Sequence, residues 1–597
     1  MKKHIITCLF AVVAAVSVST AQPTYLSPTR IAVDPITKNG VVLLSTAQAI
    51  ARIDLDKERL LTTTPLTFEA SDFAYSGNGR VLVATEYGPA GSLKVLDPSN
   101  FSVKKSVAVG AYPSAVCVNE EGTRAWVANR FSNDLSVVNP QKGKELVRIP
   151  LIREPKSVAL SPDQTIVAVG NFLPFMSALD TMISAEVSLI DAATSEVLCH
   201  IPFTNGTHSI EDVCFSKDGN YLFVTHVQSR FQIPTTQLER GWMNTNAVSI
   251  VDMRTRSYYT TILLDNVNRG AANPAGMTVS EDGRYLYVAI AGTHEVIAVS
   301  LKELFPKIEN APKNTIIAND LTFFASVKNR ISLPGKGPRK LIEKDGKVFA
   351  SCYFSGTLSI VEPLLPVNGR EVALGEEPEM DPIRRGEMLF ADADICFQNW
   401  QSCVTCHPGA RADGLNWDLI NDGIGNFKNS KSMLYSHETP PAMITGIRVN
   451  AEKAVRSGIR YILFTDRPEE EAACMDQYLR SLEPLVSPHR VNGELSKKAQ
   501  QGERIFEKAG CIHCHNGAYY TDKAMYDVGT GIDECEGTKF DTPTLKEVWR
   551  TAPYLYNGSA KTIREVLTRF NEGDRHGTTS DLSEKEIEAL EEYILSL

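Results

Sequence analysis

The first half of the chain alternates apolar and polar residues in short runs, which are broken by turns rich in Gly, Asp and Asn. Alternation over four to eight residues predicts half-buried β-strands. One such unit recurs seven times, and its clearest copies read PSAVCVNEEGTRAWVAN, PKSVALSPDQTIVAVGN and PAGMTVSEDGRYLYVAI. The copies begin at Pro28, Ser71, Pro113, Pro155, Ile210, Pro274 and Pro338.

A repeat of roughly 40–45 residues built from short strands is typical of propeller blades, because one small sheet cannot bury both of its faces alone. We therefore predict an all-β, seven-bladed propeller over residues 22–375. The repeats resemble the YVTN family of seven-bladed propellers, which includes lactonase-like proteins. That resemblance implies the fold. It does not imply a lactonase activity, because this half of the sequence has no dense cluster of acidic or His residues.

Insertions lengthen three of the repeats, at Asn171–Glu186, His226–Asn246 and Leu301–Arg330. Loops on a rigid scaffold often carry binding residues. The second insertion could pack on the propeller or form a surface for a ligand or partner protein, and its candidate residues are His226, Arg230, Arg240 and Trp242.

Helical periodicity replaces the alternation in the second half of the chain. We predict helices over Arg384–Asp392 and just before Cys511. Asp466 is the expected N-cap of a third helix, and a capping box at Ser583 and Glu586 begins the last one. A helix, a Cys motif, loops and a second helix therefore follow one another twice.

The two Cys motifs read Cys403-Val-Thr-Cys406-His407 and Cys511-Ile-His-Cys514-His515. Two thiols three residues apart can bond the two vinyl groups of a haem, while the His that follows ligates the iron. Zinc bound by paired CxxC units is the alternative. We predict two covalently bound haem c groups in two mainly α-helical cytochrome c domains, at 376–488 and 489–597.

The region around the second motif resembles the diheme cytochrome c peroxidase family, which includes the tryptophan-tryptophylquinone maturation enzymes. The residues that carry the resemblance are GERIFEKAGCIHCHNGAYYTD, FDTPTLKEVWRTAPYLYNGSAKTIREVL and NEGDRHGTTSDLSEKEIEAL. The family's distal ligand at this haem, Met or Tyr, has no counterpart in TRFNEGDRHG. His576 is the ligand that we favour there, with Met525 and Tyr556 as alternatives.

The region around the first motif departs further from the family. Gly425-Asn426 stands where many relatives have a loop His, and the family's Trp between the haems has no clear match in HETPPAMITG. The first iron would then be open, with His437, Glu438 and Met443 as candidates for its distal pocket. Glu438 and His437 are the predicted catalytic residues, since a carboxylate or imidazole can move the proton that peroxide cleavage needs. The alternatives are that His437 ligates the iron and that Glu438 is a solvated loop acid.

Composition and the N-terminus narrow the class of protein. The formal net charge of −10 argues against nucleic-acid binding. Residues 1–21 have the pattern of a signal peptide, with Lys2 and Lys3 before an apolar run and a small-residue cleavage site. We expect a soluble periplasmic protein without a membrane span. Export also makes one disulfide plausible among Cys396, Cys474 and Cys535.

The leading functional hypothesis is a peroxidase-like oxidoreductase, in which electrons pass from the C-terminal haem to the first haem and reduce peroxide or a related substrate. A small redox protein would be the electron donor. The alternatives are an enzyme that oxidises a partner or small molecule held by the propeller, and a non-catalytic electron-transfer or docking protein. A structural calcium ion between the haem domains is a further candidate cofactor.

Overall fold

The structure is a computed structural model that describes residues 24–232, 243–313, 315–365, 369–419 and 427–597. Its first part consists of seven four-stranded sheets. Their strands are β1 (Pro28–Val33), β2 (Gly40–Leu44), β3 (Ala49–Asp54), β4 (Arg59–Pro65), β5 (Ala70–Tyr75), β6 (Leu82–Glu86), β7 (Ser92–Leu96), β8 (Val103–Ala108), β9 (Pro113–Val118), β10 (Ala125–Asn129), β11 (Asp134–Asn139), β12 (Lys144–Pro150), β13 (Pro155–Leu160), β14 (Ile166–Asn171), β15 (Glu186–Asp191), β16 (Val197–Pro202), β17 (Thr207–Phe215), β18 (Tyr221–Ser229), β19 (Asn244–Asp252), β20 (Ser257–Leu263), β21 (Pro274–Val279), β22 (Tyr285–Ile290), β23 (Glu295–Ser300), β24 (Lys328–Ser332), β25 (Pro338–Lys344), β26 (Lys347–Cys352), β27 (Thr357–Val361) and β28 (Arg370–Ala373).

These sheets form a seven-bladed propeller, which confirms the predicted fold of the first half. Each sheet is an antiparallel meander whose four strands follow in chain order. All seven predicted repeat starts lie in the first strand of a blade. The pairing of that strand with the next one shifts register near its start in every blade. Such a bulge bends the strand and re-aims its side chains.

The propeller closes by packing its first blade against its last. Ile31 and Val42 share one buried cluster with Phe349 and Ile360, and β28 is the outer strand of the seventh blade. Each blade therefore keeps its own four strands. Burying both faces of every small sheet in this way leaves only short edges exposed.

The insertion predicted at His226–Asn246 is shorter than expected. β18 and β19 pair along their length from Tyr221 and Asp252 to Ser229 and Asn244, so both ends of the segment are strand. His226 is fully buried, because its side chain points into the propeller rather than out of a loop. Arg240, Trp242 and the Gly425-Asn426 pair lie outside the described residues, as does the N-terminal segment 1–21.

The described part of the second half contains α-helices and two short strand pairs. One further helix, α1, lies in the first half and belongs to the sixth blade. The helices are α1 (Leu301–Glu309), α2 (Pro382–Ala391), α3 (Cys403–Cys406), α4 (Ala451–Tyr461), α5 (Glu469–Arg480), α6 (Lys497–Lys508), α7 (Ile563–Leu567) and α8 (Glu584–Leu595). The strand pairs are β29 (Asn416–Trp417) with β30 (Lys428–Asn429), and β31 (Met525–Tyr526) with β32 (Phe540–Asp541).

The capping box at Ser583 and Glu586 is confirmed as the start of α8. The predicted N-cap at Asp466 is wrong: α5 begins at Glu469, and Pro468 occupies its N-cap position. Asp466 instead accepts hydrogen bonds from Arg460 on α4. Asp466 therefore lies two residues before the N-cap position of α5.

The two helical regions, residues 376–488 and 489–597, repeat one backbone frame. In each, a glycine in the helix before the Cys motif packs against the last helix of the region. A Cβ built on Gly386 would lie 2.0 Å from the carbonyl oxygen of Cys474, and one on Gly502 would lie 1.9 Å from that of Ala589. Only glycine allows these helices to approach so closely. Left-handed backbone also recurs at matched positions, namely Tyr435 and Glu547, Met443 and Leu555, and Gly446 and Gly558.

Both helical regions contact the propeller. Asn273 bonds Ser402 (Nδ2–Oγ 2.8 Å) and Thr405 (Oδ1–Oγ1 2.7 Å) in the first region. In the second region, Arg153 donates to the carbonyl oxygens of Ala552 and Arg550 at 2.6 and 2.9 Å. The propeller thus contacts the first Cys motif directly and holds the second helical region at Arg550 and Ala552.

Candidate functional site

The first Cys motif lies on α3 and at the turn that follows it. The N–H of Ser402 donates to the Thr405 hydroxyl at 3.0 Å, and that hydroxyl donates to Asn273 of the propeller. Cys406 also contacts the propeller, since its Sγ lies 3.6 Å from the Nδ2 donor of Asn244. Cys403 packs on α2 and α5 with Phe390 and Leu479. The two sulfurs therefore face different surroundings, one helical and one at the propeller.

His407 is held by one of its ring nitrogens. Its Nδ1 lies 2.9 Å from the carbonyl oxygen of Arg411. Burial lowers the pKa of His407 below its ordinary value, which favours the neutral ring. A neutral His that donates Nδ1–H to a carbonyl keeps its Nε2 lone pair for a metal, and this arrangement is common among metal-bound histidines.

The second motif has the same arrangement. Cys511–His513 forms a 3-10 turn directly after α6. The Nδ1 of His515 lies 3.1 Å from the carbonyl oxygen of Tyr520, and burial again lowers the pKa of the ring. Both motif histidines are thus oriented by a backbone carbonyl four or five residues later in the chain.

His576 faces His515. The ring centroids lie 6.3 Å apart and the rings are tilted by 39°. Two imidazoles on one metal would have centroids about 6 Å apart, given a metal–nitrogen bond of about 2 Å on each side. His576 is partly buried, with its pKa lowered to about 4 by burial and by His515, and its buried Nδ1 has no hydrogen-bond partner among the described residues. The residues at the second motif therefore fit a haem held between two histidines.

The two alternatives to His576 are engaged elsewhere. Met525 lies between the helical regions, where a Cβ built on Gly446 would be 3.2 Å from its sulfur. Tyr556 stacks on Phe540 with centroids 4.4 Å apart, and its hydroxyl accepts from the N–H of Ile532 at 3.3 Å.

The predicted distal residues of the first motif are placed differently. The Nε2 of His437 lies 2.9 Å from Asp476 on α5, and its side chain is fully buried. Glu438 faces Arg480 at 3.7 Å through one oxygen, while its other oxygen is buried without a hydrogen-bond partner among the described residues. In the described residues, no hydrogen bond or ring contact joins His437 or Glu438 to His407. Met443 lies in the left-handed region, at φ 72°.

A buried ion pair joins the two helical regions beside the first motif. The Nε of Arg411, whose carbonyl orients His407, lies 2.6 Å from Glu547. Glu547 is fully buried and also faces Arg550 at 3.5 Å. We did not predict this pair from the sequence. The signal that could have revealed it is the repeat itself, since Glu547 occupies the position of Tyr435 in the first region.

Two aromatic residues lie across the same boundary. The rings of Tyr435 and Tyr519 have centroids 4.9 Å apart. Tyr519 precedes the residue whose carbonyl orients His515, and the segment of Tyr435 is tied to the first motif by a 3.2 Å hydrogen bond from Met433 to Ala410. The rings thus lie between the segments that follow the two motifs.

The structure bears on the disulfide and on the zinc alternative. Among the described residues, no disulfide joins Cys396, Cys474 or Cys535, so the expected disulfide is not formed. Among the described residues, the only group of three His, Cys, Asp or Glu side chains close enough to share a metal is His294, Asp392 and Asp394. The motif cysteines therefore do not converge on a zinc site.

That three-residue group lies between the propeller and the first helical region. It is not the place where we expected calcium, which was between the two predicted haem domains, so the calcium ion stays a prediction. The Nδ1 of His294 accepts the N–H of Gly337 at 3.0 Å, so the proton of the neutral ring sits on Nε2. Nε2 faces Asp392 at 3.3 Å. This geometry suits a His–carboxylate contact better than a metal ligand.

None of the described helices has the length and apolar character that a membrane crossing requires.

A family model described as cytochrome c matches residues 499–597. Hydrazine synthase subunit gamma of Kuenenia stuttgartiensis is 28% identical to the chain, over 36% of the chain and 77% of that protein.

Two further relatives match a similar share of the chain. Methylamine utilization protein MauG of Methylophilus methylotrophus and cytochrome-c peroxidase IdrP1 of Denitromonas iodatirespirans are each 23% identical, over 35% of the chain and 78% of the relative. A solved structure of hydrazine synthase from Kuenenia stuttgartiensis covers 58% of this chain and 98% of its own, with a TM-score of 0.52 and 20% identity, which supports the fold. The chain is therefore a seven-bladed β-propeller protein with a cytochrome c domain at its C-terminus, similar to hydrazine synthase, MauG and the cytochrome c peroxidases.

Proposed function

We propose that the chain is an exported, periplasmic diheme c-type cytochrome with a peroxidase-like oxidoreductase activity. When bound, the haems supply electron transfer and the reduction of peroxide or a related substrate, with electrons received at the second haem and used at the first. The residues that would hold them are Cys403, Cys406 and His407 for the first haem, and Cys511, Cys514, His515 and His576 for the second.

One observation carries the proposal, namely that His576 faces His515 with ring centroids 6.3 Å apart. A haem that His515 and His576 both ligated would be suited to electron transfer rather than to substrate binding. The second motif is therefore the site where we place electron uptake from a small redox protein.

Among the described residues, the first motif has no ligand at the position that corresponds to His576. His576 lies in the connection between α7 and α8. The corresponding connection between α4 and α5 runs from Ile462 to Pro468 and reads ILFTDRP, with no His, Met or Tyr. A haem bound at His407 would then have no second strong protein ligand in this connection, which supports placing the chemistry at His407.

Glu438 and His437 are the proposed proton-handling residues of the first site. The buried oxygen of Glu438 has no hydrogen-bond partner among the described residues, and a proton on this oxygen would lower the cost of burying it. Asp476 holds His437 and is itself bonded to Arg456, so the ring of His437 is fixed in place. General acid–base residues of this kind contribute roughly 10²- to 10⁴-fold to a rate.

The repeated backbone frame supports two cytochrome c domains, at 376–488 and 489–597. Gly386 and Gly502 pack in the same way, and both motif histidines donate to a backbone carbonyl. The family model matches the second of these domains, and the first follows from its likeness to the second.

The test uses holoprotein produced with covalent haem attachment. We expect two haem c groups per chain by pyridine haemochrome absorbance, and turnover of hydrogen peroxide with a reduced electron donor. Glu438→Gln should lower kcat at least tenfold. Glu452→Gln is the matched control, because Glu452 also pairs with Arg480 but lies on α4. A diheme protein that does not turn over peroxide would contradict the enzymatic proposal.

A further inference from the structure

A cavity of about 410 Å³ lies on the axis of the propeller and is not used by the proposed reaction. Residues at the bulged start of all seven first strands line it, from Arg30 in β1 to Lys340 in β25. Part of its wall is formed by Val404 and Thr405 of the first Cys motif and by Pro408, which directly follows that motif. The volume lies within the range of about 300–1,000 Å³ that is usual for small-molecule sites.

The lining of this axial cavity is charged. Its acidic residues are Asp72, Glu211 and Asp212. Its basic residues are Arg30, Arg130, Lys156, Arg339 and Lys340. Five cations against three carboxylates leave an excess of two positive charges, in a chain whose formal net charge is −10. The cavity thus has the opposite charge to the protein as a whole.

Four of the five cations already have a carboxylate partner. Arg30 lies 3.1 Å from Asp72, and Lys156 lies 2.8 Å from Glu211. Arg130 is paired with Glu154 behind the wall, and Lys340 is paired with Asp212. These pairs hold the lining in place without supplying charge to a ligand.

Arg339 is the exception. Its guanidinium lies over the rings of Tyr353 and Phe354, at 4.9 and 5.7 Å, and it has no carboxylate partner among the described residues. A guanidinium presents its N–H donors as a planar fork, which matches the two oxygens of an oxyanion. These two rings are nearly perpendicular, at 87°, and their contact with the guanidinium limits the positions that it can take.

We propose that the axial cavity binds a small oxyanion at Arg339, next to the first Cys motif. Excess positive charge inside low-dielectric walls concentrates anions there.

A chain of buried hydrogen bonds connects the cavity wall to the first motif. Ser209 in the lining lies 3.0 Å from Nδ1 of His208, whose Nε2 lies 2.8 Å from Ser229. Ser229 bonds Asn244 at 2.5 Å, and Asn244 faces the sulfur of Cys406 at 3.6 Å. An anion in the cavity should therefore lower the midpoint potential of the first haem, because negative charge and altered hydrogen bonding near the cofactor favour the oxidised state.

Sodium sulfate is the probe, since the sulfate ion is an oxyanion and a poor ligand for iron. Isothermal titration calorimetry on the holoprotein, at constant chloride concentration, should show one saturable site. Arg339→Gln should weaken sulfate binding at least tenfold. Arg59→Gln should leave binding unchanged, because Arg59 is exposed on the outer strand β4.

Absence of saturable binding to the wild-type protein, or equal binding by the Arg339→Gln and Arg59→Gln variants, would overturn the proposal. If Arg339→Gln does not fold, Arg339→Lys keeps the positive charge but loses the planar fork of donors, and it should also weaken sulfate binding. The shift in midpoint potential rests on the proposed haem attachment, but the calorimetric result does not. A failure of the peroxidase proposal therefore leaves the binding test intact.

Discussion

Replacing Glu547 by Leu should destabilise the boundary between the two helical regions strongly. Glu547 is fully buried, and the guanidinium of Arg411 bonded to it is 7% exposed. The substitution leaves Arg411 and Arg550 buried without their shared carboxylate. Breaking a buried pair from one side costs about 3–5 kcal/mol, which is more than a hundredfold in the equilibrium between folded and unfolded forms.

The assay is unfolding in guanidinium chloride followed by Soret absorbance, with midpoints compared at constant m. Arg411→Met combined with Glu547→Leu should be more stable than Glu547→Leu alone, because the double variant has one fewer unpaired buried charge. Glu588→Leu is the control, since its pair with Lys498 is 43% and 49% exposed, and such pairs contribute at most about 1 kcal/mol. Equal losses for Glu547→Leu and Glu588→Leu would refute this reasoning.

Three further predictions concern single residues. His576→Ala should convert the second haem from low spin to high spin in the electron paramagnetic resonance spectrum; an unchanged spectrum would mean that another residue is the ligand. Burial raises the pKa of Asp413 from 3.8 to about 6, so its stabilisation is complete below about pH 4 and is lost, by about 3 kcal/mol, as the pH rises through 6. Asp413→Asn should therefore flatten the profile of unfolding free energy between pH 4 and 7, and a profile parallel to wild type would oppose this. Gly502→Ala should lower the melting temperature, because its Cβ would meet the Ala589 carbonyl oxygen at 1.9 Å, whereas Gly458→Ala, with open space around it in α4, should raise it slightly. Two shifts of the same sign would contradict the packing argument.

The propeller could be predicted from the sequence because each blade repeats the same local signals. Alternating strands and Gly-, Asp- and Asn-rich turns recur in every blade, and all seven predicted starts lie in first strands. The insertion at His226–Asn246 was overestimated because its ends continue the strand pairing of β18 and β19. Pairing between strands is a tertiary property that a loop-like composition does not reveal.

The helical half was predictable where the signal was local. The capping box of α8 depends on residues three positions apart, and it is confirmed. The sequence analysis did not predict α4. Asn450 is the N-cap of this helix, and the Asn450 side chain accepts a hydrogen bond from the N–H of Lys453. The N-cap prediction at Asp466 is wrong by two residues, because α5 begins at Glu469 with Pro468 as its N-cap.

Contacts across regions could not be predicted. Two such contacts join residues that are far apart in the sequence. Arg411 meets Glu547 where the two helical regions pack together, and Asn244 meets Cys406 where the first region packs on the propeller. A single sequence contains no record of such docking. The same limit applies to His437, whose buried partner Asp476 lies on a helix that follows it.

The measurement that tests the central claim most directly is electron paramagnetic resonance of the holoprotein, oxidised and half-reduced, combined with peroxide turnover. We predict one low-spin ferric haem with two His ligands at His515 and His576, and one high-spin ferric haem at His407 whose signal changes when peroxide is added. Two low-spin haems in every redox state, without peroxide turnover, would contradict the division of roles between the two sites.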